Sequence, residues 1–179
     1  MDQLISIQSE KDIPKEYVGT PIASFLEYHN LDRPFKAYSN AEILIGMCMD
    51  NRKHLHIPDN FAYIIRAAGA NLRYSEFKIS YAIGVGGISH IALVGHTQCG
   101  MENLASRKEV FIQGLINQAG WSRSQAEDHF LNFCMMFEIG NVADFILSET
   151  IRIHARYPKI KIAPFIYRVE DNLLYAIRH

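Results

Sequence analysis

The chain has 179 residues, 49% of them apolar, and a formal net charge of −1. That length suits one domain with a sizeable core, and the mixing of acids with bases leaves no basic field for a nucleic acid or an anionic membrane surface. No run reaches the roughly 18 apolar residues needed to span a bilayer, and the start MDQLISIQSEKDIPKEY lacks the charged-then-apolar order of a secretory signal; a soluble, cytoplasmic protein is expected.

No repeat, low-complexity run or proline-rich linker divides the chain, so residues 1–179 read as a single domain, with the polar stretch 1–19 as a loose N-terminal arm. Thr20 before Pro21 has the pattern of an N-cap followed by proline in the first helical position, and predicts a short helix ending near Asn30. Glu42 to Cys48 is an apolar run ending in polar residues, as in a strand buried on both faces. A second strand is expected at Phe61 to Ile65. Leu72 to Val85 carries apolar residues at helical spacing until Gly86-Gly87 stops it. His90 to Gly95 is the third buried strand.

Residues 101–125 give no clear reading of what lines a pocket. Ser122 and Gln125 have capping-box spacing, opening a helical region that runs to Tyr157 with a break near Gly140, and Pro158 ends it. Lys159 to Val169 reads as a strand, Glu170-Asp171-Asn172 as a turn and Leu173 to Ile177 as a returning strand. Strands alternating with helices predict an α/β fold with a mostly parallel sheet and an antiparallel edge strand, flanked by helices.

Three cysteines cannot all pair within one chain, and Cys48, Cys99 and Cys134 are not spaced as a disulfide scaffold, so reduced thiols are expected. Cys48 ends the first strand, while His96-Thr97-Gln98-Cys99 follows the third. Right-handed crossovers bring both to the carboxyl edge of the sheet, and if the second and third strands lie on opposite sides of the first, a crevice opens there, where open α/β sheets place ligands. Two thiolates and an imidazole suit tetrahedral zinc, and three protein ligands leave a fourth position for water. Asp50 is the obvious competitor for that position. Cys134, among Phe130, Leu131 and Met135, reads as core, and the run Met135 to Phe137 as core or dimer packing. His54 and His56 read as solvated loop residues rather than proton relays.

Cys48-Met-Asp50-Asn-Arg52 followed by His96-Thr-Gln-Cys99-Gly100 resembles the paired Cys-x-Asp-x-Arg and His-x-x-Cys motifs of the β-class carbonic anhydrases. The resemblance is close over residues 40–104 and looser over the terminal hairpin. It implies four parallel strands plus an antiparallel edge strand, one Zn²⁺ per chain on Cys48, His96 and Cys99, and assembly as a homodimer or homotetramer. It further implies that Asp50, fixed by Arg52, accepts a hydrogen bond from zinc-bound hydroxide, and that the hydroxide converts carbon dioxide to bicarbonate and a proton. Where that family has Arg-Asn-Ala-Gly after the second strand, this chain has Arg66-Ala67-Ala68-Gly69. Two alternatives follow: hydrolysis of carbonyl sulfide or carbon disulfide on the same fold, and a non-catalytic zinc protein in which Asp50 closes the fourth position.

Overall fold

The structure is a computed structural model and describes residues 4–177. Its centre is a six-stranded sheet: β1 (Leu4–Ser6), β2 (Ile43–Cys48), β3 (Ala62–Ala67), β4 (His90–His96), β5 (Lys161–Arg168) and β6 (Leu173–Ile177), in the order β1-β6-β5-β4-β2-β3. The four strands β3, β2, β4 and β5 run parallel, β6 returns antiparallel to β5, and β1 pairs antiparallel to β6. The expected sheet is present, with one strand more than the sequence suggested.

That additional strand corrects the reading of the N-terminal stretch as a loose arm over residues 4–19; residues 1–3 lie outside the described residues. Within the described residues, Leu4 pairs with Ile177 and Ser6 with Tyr175, and Ile7, Ile13 and Tyr17 are buried in the core. The polar residues between them mask a short apolar series that packs against α1 (Pro21–Leu31).

Alternation along β2 divides the interior in two. Ile43, Ile45 and Met47 face one way, joining Phe25, Leu26 and Tyr28 of α1 and Phe165 and Tyr167 of β5. Leu44 and Cys48 face the other, toward α2 (Glu76–Gly84) and α5 (Val142–Arg156), where Ile79, Ile146 and Ile153 lie. The period of two in a strand makes this separation unavoidable, and a run buried on both faces is its sequence signature.

The helix expected from Leu72 starts later, at Glu76, after a 3₁₀ turn at Arg73–Ser75. Asn71 Oδ1 accepts the Arg73 amide at 3.2 Å, and the buried Glu149 accepts the Leu72 amide at 3.2 Å, so side chains satisfy the amides that a helix would have used. Residues 101–125 contain a 3₁₀ turn at Leu104–Arg107 and α3 (Lys108–Ala119). The Ser122 capping box is formed, opening α4 (Arg123–Phe137), and a 71° bend around Gly140 separates α4 from α5. Among the described residues no single helix is long and apolar enough to cross a membrane.

Strand β4 meets α5 at Gly95, where a β-carbon would lie 2.7 Å from Val142 and 2.8 Å from Ile146. Only a residue without a side chain lets the helix settle this close to the strand that ends in His96.

Candidate metal centre

The order β4-β2-β3 puts Cys48, at the end of β2, beside His96, at the end of β4, as the crossover argument requires. The chain then turns back at Gln98, in the left-handed region with φ 57°, and returns Cys99 to the same edge. The ligand atoms of Cys48, His96 and Cys99 lie within 4.8 Å of one another, all three residues are buried, and both thiols are free. Cys134 stands apart from this group, buried on α4 with its thiol donating to Glu138 at 3.6 Å.

The donor set fits a metal for a reason visible at His96. Its Nδ1 lies 2.8 Å from the Thr97 carbonyl, which only accepts, so Nδ1 carries the proton and Nε2 keeps its lone pair. Nε2 is buried and has no hydrogen-bond partner. An unsatisfied buried nitrogen costs about 1–3 kcal/mol, which a cation between it and the two thiols would offset. The thiols act on one another: hydrogen bonding from Cys99 draws Cys48 below the ordinary thiol range, and the same contact, with burial, pushes Cys99 up. The Gly69 amide donates to Cys48 Sγ at 3.3 Å, from a backbone with φ 63° that glycine adopts freely.

Asp50 and Arg52 stand beside the group. The Arg52 side chain donates to Asp50 Oδ1 through Nε at 3.1 Å and to Oδ2 through Nη2 at 2.8 Å, while its main-chain amide donates to Oδ1 at 2.9 Å. These bonds hold the Asp50 carboxyl well below the usual carboxylate range. Asp50 Oδ2 lies 3.9 Å from His96 Nε2.

Four neighbours were not singled out by the sequence. Gln98 accepts Arg52 Nη1 at its side-chain oxygen (3.2 Å) and Nη2 at its carbonyl (3.0 Å), and its amide nitrogen donates to Glu170 at 2.9 Å. Glu170, read as a turn residue, also accepts Thr97 Oγ1 at 2.8 Å. Arg66 reaches the carbonyls of Cys48 (3.4 Å), Asp50 (3.5 Å) and Lys53 (3.3 Å). Lys53 is buried, its ammonium donating to the Asp50 carbonyl at 3.0 Å and lying 3.7 Å from Asp50 Oδ1. Spacing carried no sign of Gln98 or Glu170, because Gln98 reaches Arg52 across a turn and Glu170 reaches Gln98 from a strand end distant in sequence. His54 and His56 are exposed, as expected of solvated loop residues.

No protein-family model and no curated protein matches the chain. Solved structures do. A β-carbonic anhydrase from Trichomonas vaginalis superposes with a TM-score of 0.64 at 18% identity, covering 91% of this chain and 97% of the other. A carbonic anhydrase from Glaciozyma antarctica gives 0.59 at 20% identity over 76% and 83%. The apo form of a carbon disulfide hydrolase gives 0.54 at 21% identity over 75% and 77%. The fold is that of the β-carbonic anhydrases, shared with a carbon disulfide hydrolase.

Proposed function

We propose that this chain is a zinc enzyme that reversibly hydrates carbon dioxide to bicarbonate and a proton. One zinc per chain is held by Cys48, His96 and Cys99. The observation that carries the reading is the buried, partnerless Nε2 of His96 between two buried thiols, with an Arg52-bound carboxylate alongside. Zinc supplies a Lewis acid that makes water a competent nucleophile near neutral pH.

The chain's own residues do the positioning. The Thr97 carbonyl fixes the His96 tautomer, which leaves the lone pair of Nε2 free to hold a cation. Asp50 stays ionised because Arg52 occupies both of its oxygens, and it serves as the acceptor that orients the attacking water. Arg52 adds positive charge beside two thiolates, which would otherwise cancel the charge of the cation.

A second reading, hydrolysis of carbonyl sulfide or carbon disulfide, is favoured by the apolar surroundings. Met101 and Ile139 pack against Gly69, whose amide holds Cys48, and Ala67 stands where the resemblance calls for an asparagine. Asp50 bound by Arg52 argues against the third reading, a closed non-catalytic site. We also place the protein in the cytoplasm as a homodimer or homotetramer. Tyr63 and Ile64 on the outer strand β3 and Phe77 and Tyr81 on α2 leave apolar surface exposed, as an oligomer would cover. A strictly monomeric active species in sedimentation would contradict that assembly.

Stopped-flow hydration of carbon dioxide by zinc-loaded protein at mildly alkaline pH, run beside a carbonyl sulfide assay, separates these readings. Rapid proton release from carbon dioxide is expected. Sulfide release without hydration would select the second reading, and turnover of neither would end the enzyme reading.

A further inference from the structure

The loop that carries Asp50 also buries a full cation. The Lys53 side chain has no exposed surface, and its ammonium donates to the Asp50 carbonyl at 3.0 Å. Taking an ammonium out of water costs several kcal/mol unless charges and acceptors around it compensate. A main-chain carbonyl does not require a charge, since any neutral donor satisfies it. The single carboxylate within 4 Å of Lys53 among the described residues is Asp50, at 3.7 Å from Oδ1.

The two cations flank Asp50 unequally. Arg52 is on the surface and binds the carboxylate from the solvent side, with a side chain 44% exposed. Lys53 sits beneath, where water screens little and a charge acts at greater strength. Asp50 Oδ2, the oxygen nearer His96, is 3.9 Å from Nε2, so a small rotation separates a carboxylate beside the metal position from one on it. Arg52 forks onto both oxygens from the solvent side, and Lys53 adds a restraint from beneath that solvent does not screen. A buried ammonium near Oδ1 and hydrogen-bonded to the same residue's carbonyl pins both the main chain and the carboxylate of Asp50.

We propose that Lys53 is a positioning residue whose buried ammonium keeps Asp50 turned toward Arg52, leaving the fourth position of the metal open. The inference rests on the metal reading of Cys48, His96 and Cys99. It assigns to Lys53 the choice between an open and a closed centre, with Arg52 as its exposed partner.

The test is cobalt substitution, which reports the fourth position by absorption and needs no turnover. Parent, Lys53→Met, Asp50→Asn and the double variant are loaded with Co²⁺ and titrated with azide. Methionine nearly matches lysine in shape, and Asp50 keeps Arg52 on its carboxylate and Arg66 near its carbonyl, so the substitution leaves no charge without a partner. Lys53→Gln, which keeps a donor without the charge, gives a second variant should the first fail to fold. Loss of the ammonium is expected to change the visible cobalt bands and weaken azide about tenfold, as when one molecule in ten keeps the position free. Both effects should vanish when Asp50 is asparagine. Bands and azide affinity unchanged in Lys53→Met and Lys53→Gln would overturn the proposal, as would effects that persist without the Asp50 carboxylate. A parent protein that binds no cobalt would instead remove the metal reading itself, and the proposal with it.

Discussion

The guanidinium of Arg52 spans both oxygens of Asp50, giving Nε to Oδ1 at 3.1 Å and Nη2 to Oδ2 at 2.8 Å. A two-point fork fixes a carboxylate in direction as well as in place. Removing it by Arg52→Ala is expected to lower hydration about 10–100-fold while bound zinc is retained. Steady-state rates set beside metal analysis check this; lost zinc would mean that Arg52 supports the ligands rather than Asp50.

The fork is itself held. Gln98 accepts from Arg52 and donates to Glu170, so one amide is oriented by opposite charges at its two ends. Gln98→Ala is expected to reduce the rate about tenfold. Glu170→Gln, which keeps the size but removes the charge, should have a smaller effect of the same sign. Neither should move the thermal midpoint much, because these groups lie at the surface. Equal rates in parent and both variants would detach this chain of contacts from the site.

His29 links α1 to the loop that follows Arg52 and to the β5–β6 turn. Its Nδ1 accepts the His56 amide at 3.0 Å, so Nε2 carries the proton and donates to the Asn172 carbonyl at 3.1 Å. A second proton would have to displace the His56 bond, and burial pulls the pKa down to about 4. The unfolded chain takes up that proton near pH 6.5 and the folded chain only near 4. The neutral ring therefore contributes its full stability above the higher value and loses it as pH falls toward the lower. The loss amounts to about 3 kcal/mol. Denaturant midpoints measured across that range should fall with pH, and more steeply in the parent than in His29→Gln. Parallel slopes would exclude His29 as the source.

Gly95→Ala places a methyl group within 2.7 Å of Val142 and 2.8 Å of Ile146. We expect a loss of about 1–3 kcal/mol, with weaker zinc retention because β4 carries His96. Chemical denaturation and metal analysis together check the pair of effects.

The sequence disclosed the parts of this architecture that depend on local periodicity. The doubly buried run Ile43–Cys48, the capping box at Ser122 and the terminal hairpin are all in place. The gathering of Cys48, His96 and Cys99 in one place was legible because strand ends in a parallel sheet converge at one edge. The strand at Leu4–Ser6 was not, since three residues set among polar neighbours carry no period and gain their order from pairing with β6. Lys53 was hidden for a different reason. A lysine in a polar loop reads as solvated, and only the three-dimensional arrangement reveals that it is buried under Asp50.

Zinc content after purification of the parent, Cys48→Ser and Cys99→Ser tests the proposed metal centre most directly. One tightly bound zinc per chain is expected in the parent, with loss of that zinc from both variants, because a serine hydroxyl is a far poorer zinc ligand than a thiolate. Undiminished, tightly held metal in both variants would contradict that centre.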